Sequence, residues 1–97
     1  MNEEKYDLIL KTPMGAKKGE LIFEIDGDQL NGKIIVKGEE NPFSNGTIRD
    51  NNFSFSGVLK SSVGKMEYEA TGQVDGDTLR GEAKAKKGTI QLTGKRK

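Results

Sequence analysis

From residue 5 onward, apolar and polar residues alternate with a period of two, in runs separated by short polar clusters. In KYDLILK (5–11), Tyr6, Leu8 and Leu10 fall on one face. GELIFEI (19–25) places Leu21, Phe23 and Ile25 together, and LNGKIIVK (30–37) does the same for Leu30, Gly32, Ile34 and Val36. NFSFSGVLK (52–60) aligns Phe53, Phe55, Gly57 and Leu59, and KMEYEATGQV (65–74) aligns Met66, Tyr68, Ala70, Gly72 and Val74. TLRGEAKAK (78–86) and TIQLTGKRK (89–97) continue with Leu79, Gly81, Ala83, Ala85, then Ile90, Leu92 and Gly94. Successive side chains of a strand point to opposite faces, so each run is a strand with one buried face. A weaker eighth run, SNGTIR (44–49), pairs Gly46 with Ile48 but leaves Phe43 in the wrong parity unless a bulge intervenes. No segment has helical periodicity.

The polar clusters are turns. Asp26-Gly27-Asp28, Asp50-Asn51-Asn52 and Asp75-Gly76-Asp77 recur every ~25 residues, the length of two strands and two connections. Asp-Gly and Asx-Asn pairs suit tight hairpins whose central residues need positive φ, and type I′ turns are expected, with Gly27 and Gly76 as second central residues. Eight antiparallel strands in sequence order form a meander. Closing it on itself removes the two edges a one-sided sheet exposes. Inward glycines at 32, 57, 72, 81 and 94 allow the coiling a narrow barrel needs. The expected fold is a single all-β domain over residues 1–97, an eight-stranded antiparallel up-and-down barrel, with a β-sandwich of the same strands as the alternative.

A shift of 49 residues superposes Leu10, Lys11, Gly15, Glu20, Asp26, Gly27, Asp28, Leu30, Gly32 and Lys37 on identical residues without a gap. The two halves read as copies of a four-strand unit, neither able to bury its apolar face alone. The layout KTPMG, GxLxFxxDGDxLxG, NGxI, FSFSG, GxVDGDxLxG and GxIxLxGxR runs from Leu10 to Arg96. In these motifs the chain resembles a poorly characterised bacterial family of small calycin-like β-barrel proteins with TPMG and DGDxLxG repeats. The resemblance implies a calycin-like barrel and brings no catalytic residue with it.

Composition narrows the chemistry. The chain is 32% hydrophobic and 32% charged with thirteen glycines, a balance that leans toward disorder until the alternation is considered. It has neither histidine nor cysteine, which removes the commonest general base, the commonest metal ligand and all thiolate chemistry. Ser54, Ser56, Ser61 and Ser62 therefore have no imidazole to activate them. Glu67 and Glu69 share a strand face, but it is the solvated one with Lys65, Thr71 and Gln73. The Asp-x-Asp turns lack the run of oxygen ligands of a calcium loop, so no metal or cofactor is expected. Phe53 and Phe55 lie on the core parity rather than on a base-stacking surface, and a net charge of +1 gives no general attraction to nucleic acid. No apolar run is long enough to span a bilayer, and the first residues lack a signal-peptide pattern, so a cytoplasmic protein is expected.

One asymmetry remains. In a meander alternate turns gather at the same end. One end then carries Asp26, Asp28, Asp50, Asp75 and Asp77. The other carries Lys11, Lys17, Lys18, Lys37, Lys60, Lys65, Lys86 and Lys87 against Glu39 and Glu40 on what read as longer loops, together with Pro13, Met14, Pro42 and Phe43. The expected function is a non-enzymatic barrel binding a small apolar or anionic molecule at that end, through Met14, Lys17, Lys18, Phe43 and Lys65. The alternative is a protein-interaction module with a filled core. Interior volume separates them.

Overall fold

The computed structural model describes residues 2–12, 15–61, 64–86 and 88–97. The strands are β1 (Asn2–Thr12), β2 (Gly15–Asp26), β3 (Gln29–Val36), β4 (Glu39–Arg49), β5 (Asn52–Ser61), β6 (Gly64–Asp75), β7 (Thr78–Ala85) and β8 (Gly88–Arg96). Each pairs antiparallel with its sequence neighbours, and β1 pairs with β8 from Tyr6↔Arg96 to Lys11↔Gln91. The sheet is thus a closed up-and-down barrel, 36 Å long and 23 Å across, and the sandwich alternative is set aside. No helix occurs among the described residues.

β4, the weakest run in the sequence, is longer than its pattern suggests. Register shifts between Leu30 and Gly32 on β3 and between Ser44 and Thr47 on β4 mark a bulge, with Asn45 at φ 63°. The bulge flips the parity midway along β4, so Phe43 faces inward before it and Ile48 packs on the core after it.

All six aromatic side chains of the chain, four Phe and two Tyr, are buried inside the barrel. Phe23 meets Tyr6, Phe43, Phe53 and Phe55 edge-on, with centroids 5.4–6.3 Å apart. Phe43 stacks on Phe55 at 3.9 Å, and Tyr68 meets Phe55 edge-on at 6.0 Å. An eight-strand barrel has an interior that side chains can just fill, and here the six rings share it with eleven buried aliphatic side chains. Glycines make room for them. Gly72 and Gly81 lie opposite each other on β6 and β7, and the ring of Phe53 covers both; a Cβ on Gly72 would sit 2.6 Å from Phe53 Cζ.

The repeated turns have a shared task. The carbonyl of Asp28 accepts a hydrogen bond from the amide of Ile48 at 3.0 Å, that of Asn51 from Val74 at 2.8 Å, and that of Asp77 from Arg96 at 2.7 Å. Each turn on this end is thereby tied to the next hairpin along the chain. Gly27 and Gly76 have positive φ, 64° and 62°, as expected, but Asp28 and Asp77 do not join them in that region. Both glycines are first central residues, the pattern of a type II′ turn rather than I′. Type I′ occurs instead at Asp50-Asn51, with φ 51° and 67°, and at Lys37-Gly38, with φ 53° and 80°.

The opposite end differs from expectation. Its strands continue to Thr12↔Gly15, Val36↔Glu39, Ser61↔Gly64 and Ala85↔Gly88, each closing over two residues. Both ends are therefore tight. Of the residues expected in loops, 15–19, 39–43 and 64–65 lie in strand instead, while Lys37 and Gly38 form a turn.

Candidate functional site: the lysine-bearing end

Lys17 and Lys18 lie on β2 and Lys65 on β6, all exposed and in strand rather than loop. Lys18 stands opposite Ile9, and Lys65 opposite Lys60. Together with Lys11, Lys37 and Lys86 they form an exposed cationic rim, and among the described residues none of these seven lysines has an ion pair. Inside the rim, Val36, Leu59 and Met66 are half-buried against the core, and Leu59 faces Met66 directly. The end thus offers a small apolar floor among lysines, with the exposed Glu39 and Glu40 on the same end, Glu40 paired with Lys33.

Phe43 does not belong to that floor. It is 5% exposed and stacked on Phe55 inside the barrel, because the bulge turns it inward. This corrects its assignment to a surface loop. Met14 and Lys87 lie outside the described residues.

Two residues matter here that the sequence pattern did not single out. Asn41, 2% exposed, bridges β4 and β5 where their main-chain ladder has stopped: Nδ2 donates to the carbonyls of Ile34 and Glu39 at 3.1 and 3.2 Å, and Oδ1 accepts from the Lys60 amide at 2.9 Å. The second is Tyr68, whose hydroxyl is buried without a hydrogen-bond partner and lies over Gly57. Burial pushes its phenol well above the ordinary range. An Asn among alternating residues looks like any loop polar, and a Tyr in core parity looks satisfied; neither carries a local signal.

The other dense cluster lies at the far end. Tyr6 Oη donates to Glu4 at 3.0 Å, and Arg96 donates to Glu4 at 2.8 Å and to Tyr6 Oη at 3.3 Å, with its guanidinium over the Tyr6 ring. Burial raises the Tyr6 phenol, with Glu4 reinforcing and Arg96 opposing. Each group satisfies another, and together they pin β8 to β1 where the ladder ends. This is a seam fastening, and it leaves no poised acid or base. Among the described residues no group of acidic side chains is arranged to hold a metal.

Among the described residues, one groove of about 550 Å³ lies beside residues 2–5 and 96–97, and another of about 580 Å³ beside Val58, Glu67, Lys84 and Lys86. Both are open to solvent. No family model, curated protein or solved structure matches the chain.

Proposed function

We propose that this protein is a non-enzymatic binding module whose lysine-bearing end takes an anionic partner, with the barrel as a rigid, filled support. The observation that carries this reading is the set of seven exposed lysines at one end without an ion pair among the described residues. Elsewhere five of the eight described cations are paired, Lys5 with Glu3, Lys33 with Glu40, Arg49 with Asp28, Arg96 with Glu4, and Lys97 with Asp7 and Glu20, while Arg80, Lys84 and Lys95 have no ion pair among the described residues. Clustered like charges repel, so a fold that keeps them together gains nothing in stability from doing so. The half-buried Val36, Leu59 and Met66 add an apolar contact within the rim. The connected aromatic rings favour a partner seated on the end over a small molecule carried inside. The motif likeness to small calycin-like barrels is compatible with such a module.

The test is titration of poly-L-glutamate at low and high salt. Wild type is expected to bind at low salt and weaken as salt screens exposed charges over ~10 Å. Lys17→Glu, Lys18→Glu and Lys65→Glu combined should lose at least ~10-fold in affinity with the fold unchanged, since exposed charges contribute little to stability. The charge-matched control, Arg49→Glu, Arg80→Glu and Lys95→Glu, should lose much less. Equal losses in the two variants would move the site away from the lysine end.

A further inference from the structure

The lysine end contains a free strand edge. The β1–β2 ladder runs to Thr12↔Gly15, but the β2–β3 ladder stops at Gly19↔Val36, because β3 turns at Lys37-Gly38 into β4. Among the described residues, 15–18 of β2 are therefore paired on one side only. Hydrogen-bonding direction alternates along an antiparallel strand. The two-residue turn closing Asp26↔Gln29 sets the even-numbered residues of β2 toward β3. Continuing that alternation, Ala16 and Lys18 direct their N–H and C=O groups to the open side, and both residues are exposed.

Resting on the lysine-end reading above, we infer that this edge receives an extended acidic peptide segment as an added strand, continuing the line of β3 past its turn. Main-chain groups of Ala16 and Lys18 supply the ladder, as in other strand-addition modes. Charge selects the occupant. Lys17 and Lys18 fall on opposite faces of β2 and Lys37 stands on the neighbouring turn, all without an acid partner among the described residues. Two consecutive acidic residues in the added strand meet Lys17 on one face and Lys18 on the other. Ile9, 40% exposed and directly opposite Lys18, gives an apolar side chain on the outer wall next to that pair.

A second copy of this chain is the wrong occupant. Edge-to-edge pairing sets Lys17 and Lys18 of one molecule against those of the other, and like charges placed opposite each other destabilise a ladder. A comparable step exists on β6, where pairing with β7 stops at Tyr68↔Ala85. There Glu67 stands at the position 49 residues after Lys18, so the acidic strand is directed to β2.

The probes are the acetylated, amidated hexapeptides Thr-Val-Glu-Glu-Val-Thr and Thr-Pro-Glu-Glu-Pro-Thr, equal in charge. The second lacks the N–H on either side of the acidic pair, and so the donor that would face Ala16. Both are titrated at low salt into the ¹⁵N-labelled full chain while amide exchange is followed. The valine peptide is expected to slow exchange at Ala16 and Lys18 by ~10-fold or more, and the proline peptide to leave it unchanged. Ala16→Pro removes one outward N–H at a position where an edge strand tolerates proline, and should weaken the valine peptide ~10-fold with an unchanged circular dichroism spectrum. Equal binding of both peptides without protection at Ala16 and Lys18 overturns the strand-addition proposal while the lysine-end reading stands. Binding of neither peptide, together with no binding of poly-L-glutamate, overturns both. A dimer in sedimentation with Ala16 and Lys18 already protected shows a second copy on the edge and overturns the acidic-peptide proposal.

Discussion

The carbonyl of Asp77 accepts a hydrogen bond from the amide of Arg96 at 2.7 Å, tying the β6–β7 turn to the last strand. That contact depends on the turn's shape, and the shape depends on Gly76 at φ 62°. A Cβ there would meet nothing within 4 Å, so any penalty is one of backbone conformation alone. Gly76→Val should cost ~1–2 kcal/mol, read as a lower urea midpoint at constant slope, and Gly76→Asn distinctly less. An unchanged midpoint for the valine variant would mean the turn does not need a left-handed residue.

Asn41 replaces a missing stretch of the β4–β5 ladder with one side chain. Asn41→Leu leaves the Lys60 amide and the Ile34 carbonyl without their partner, at a cost of about 1–3 kcal/mol. Amide exchange at Lys60 should accelerate more than at Phe55, in mid-strand. Uniform acceleration would indicate a global effect and no special role for the bridge.

Gly57 and Tyr68 should be coupled. A Cβ on Gly57 would sit 2.9 Å from the Tyr68 hydroxyl, 3.2 Å from its Cζ and 3.3 Å from Phe43 Cβ. Gly57→Ala is expected to destabilise by about 1–3 kcal/mol. Tyr68→Phe removes an unpartnered buried hydroxyl and should stabilise by ~1 kcal/mol. Combined, the loss from Gly57→Ala should shrink by at least ~0.5 kcal/mol, and strict additivity in the double-mutant cycle would show the hydroxyl is not the obstruction.

Alkaline pH tests the same residue. Burial raises the folded-state pKa of Tyr68 above its ordinary value of 10.0. Above pH ~10 the unfolded chain loses this proton while the folded chain keeps it, so stability falls as pH rises from there toward the folded value. Tyr68→Phe should flatten part of that fall, with phenolate absorbance in the wild type appearing together with loss of the barrel's circular dichroism. Phenolate absorbance for both tyrosines at pH 10 in an intact barrel would contradict the burial argument.

Alternation alone placed Leu8, Phe23, Phe55, Leu79 and Leu92 inside, because a closed sheet with one wet face leaves each strand a single choice of parity. It also anticipated the need for a bulge at Phe43. What escaped it was where each ladder stops. Lys17 and Lys18 read as loop because lysine and glycine are poor strand formers, yet a hairpin closed at Thr12↔Gly15 carries them in extended form. The turn type escaped for a different reason: Asp-Gly-Asp fits a two-residue turn starting at either Asp or Gly, and the register of Asp26↔Gln29 decides between them. The lysine cluster itself was legible from meander topology; the free edge beneath it required the staggered ladders that tilted barrel strands produce.

Seven of the eight ladders join strands adjacent in the chain, each across a two-residue connection, while the eighth brings together Tyr6 and Arg96, 90 positions apart. By loop entropy alone, that closure costs roughly 3 kcal/mol more than forming a hairpin. Hairpins can therefore accumulate early, leaving ring closure as the late step, and until it happens β1 and β8 are raw edges at opposite sides of an open sheet. The Glu4–Tyr6–Arg96 fastening acts at that juncture. At high protein concentration a neighbour's β8 competes for the same β1, so refolding yield should fall with concentration, and exchange of strands between molecules should begin at this seam.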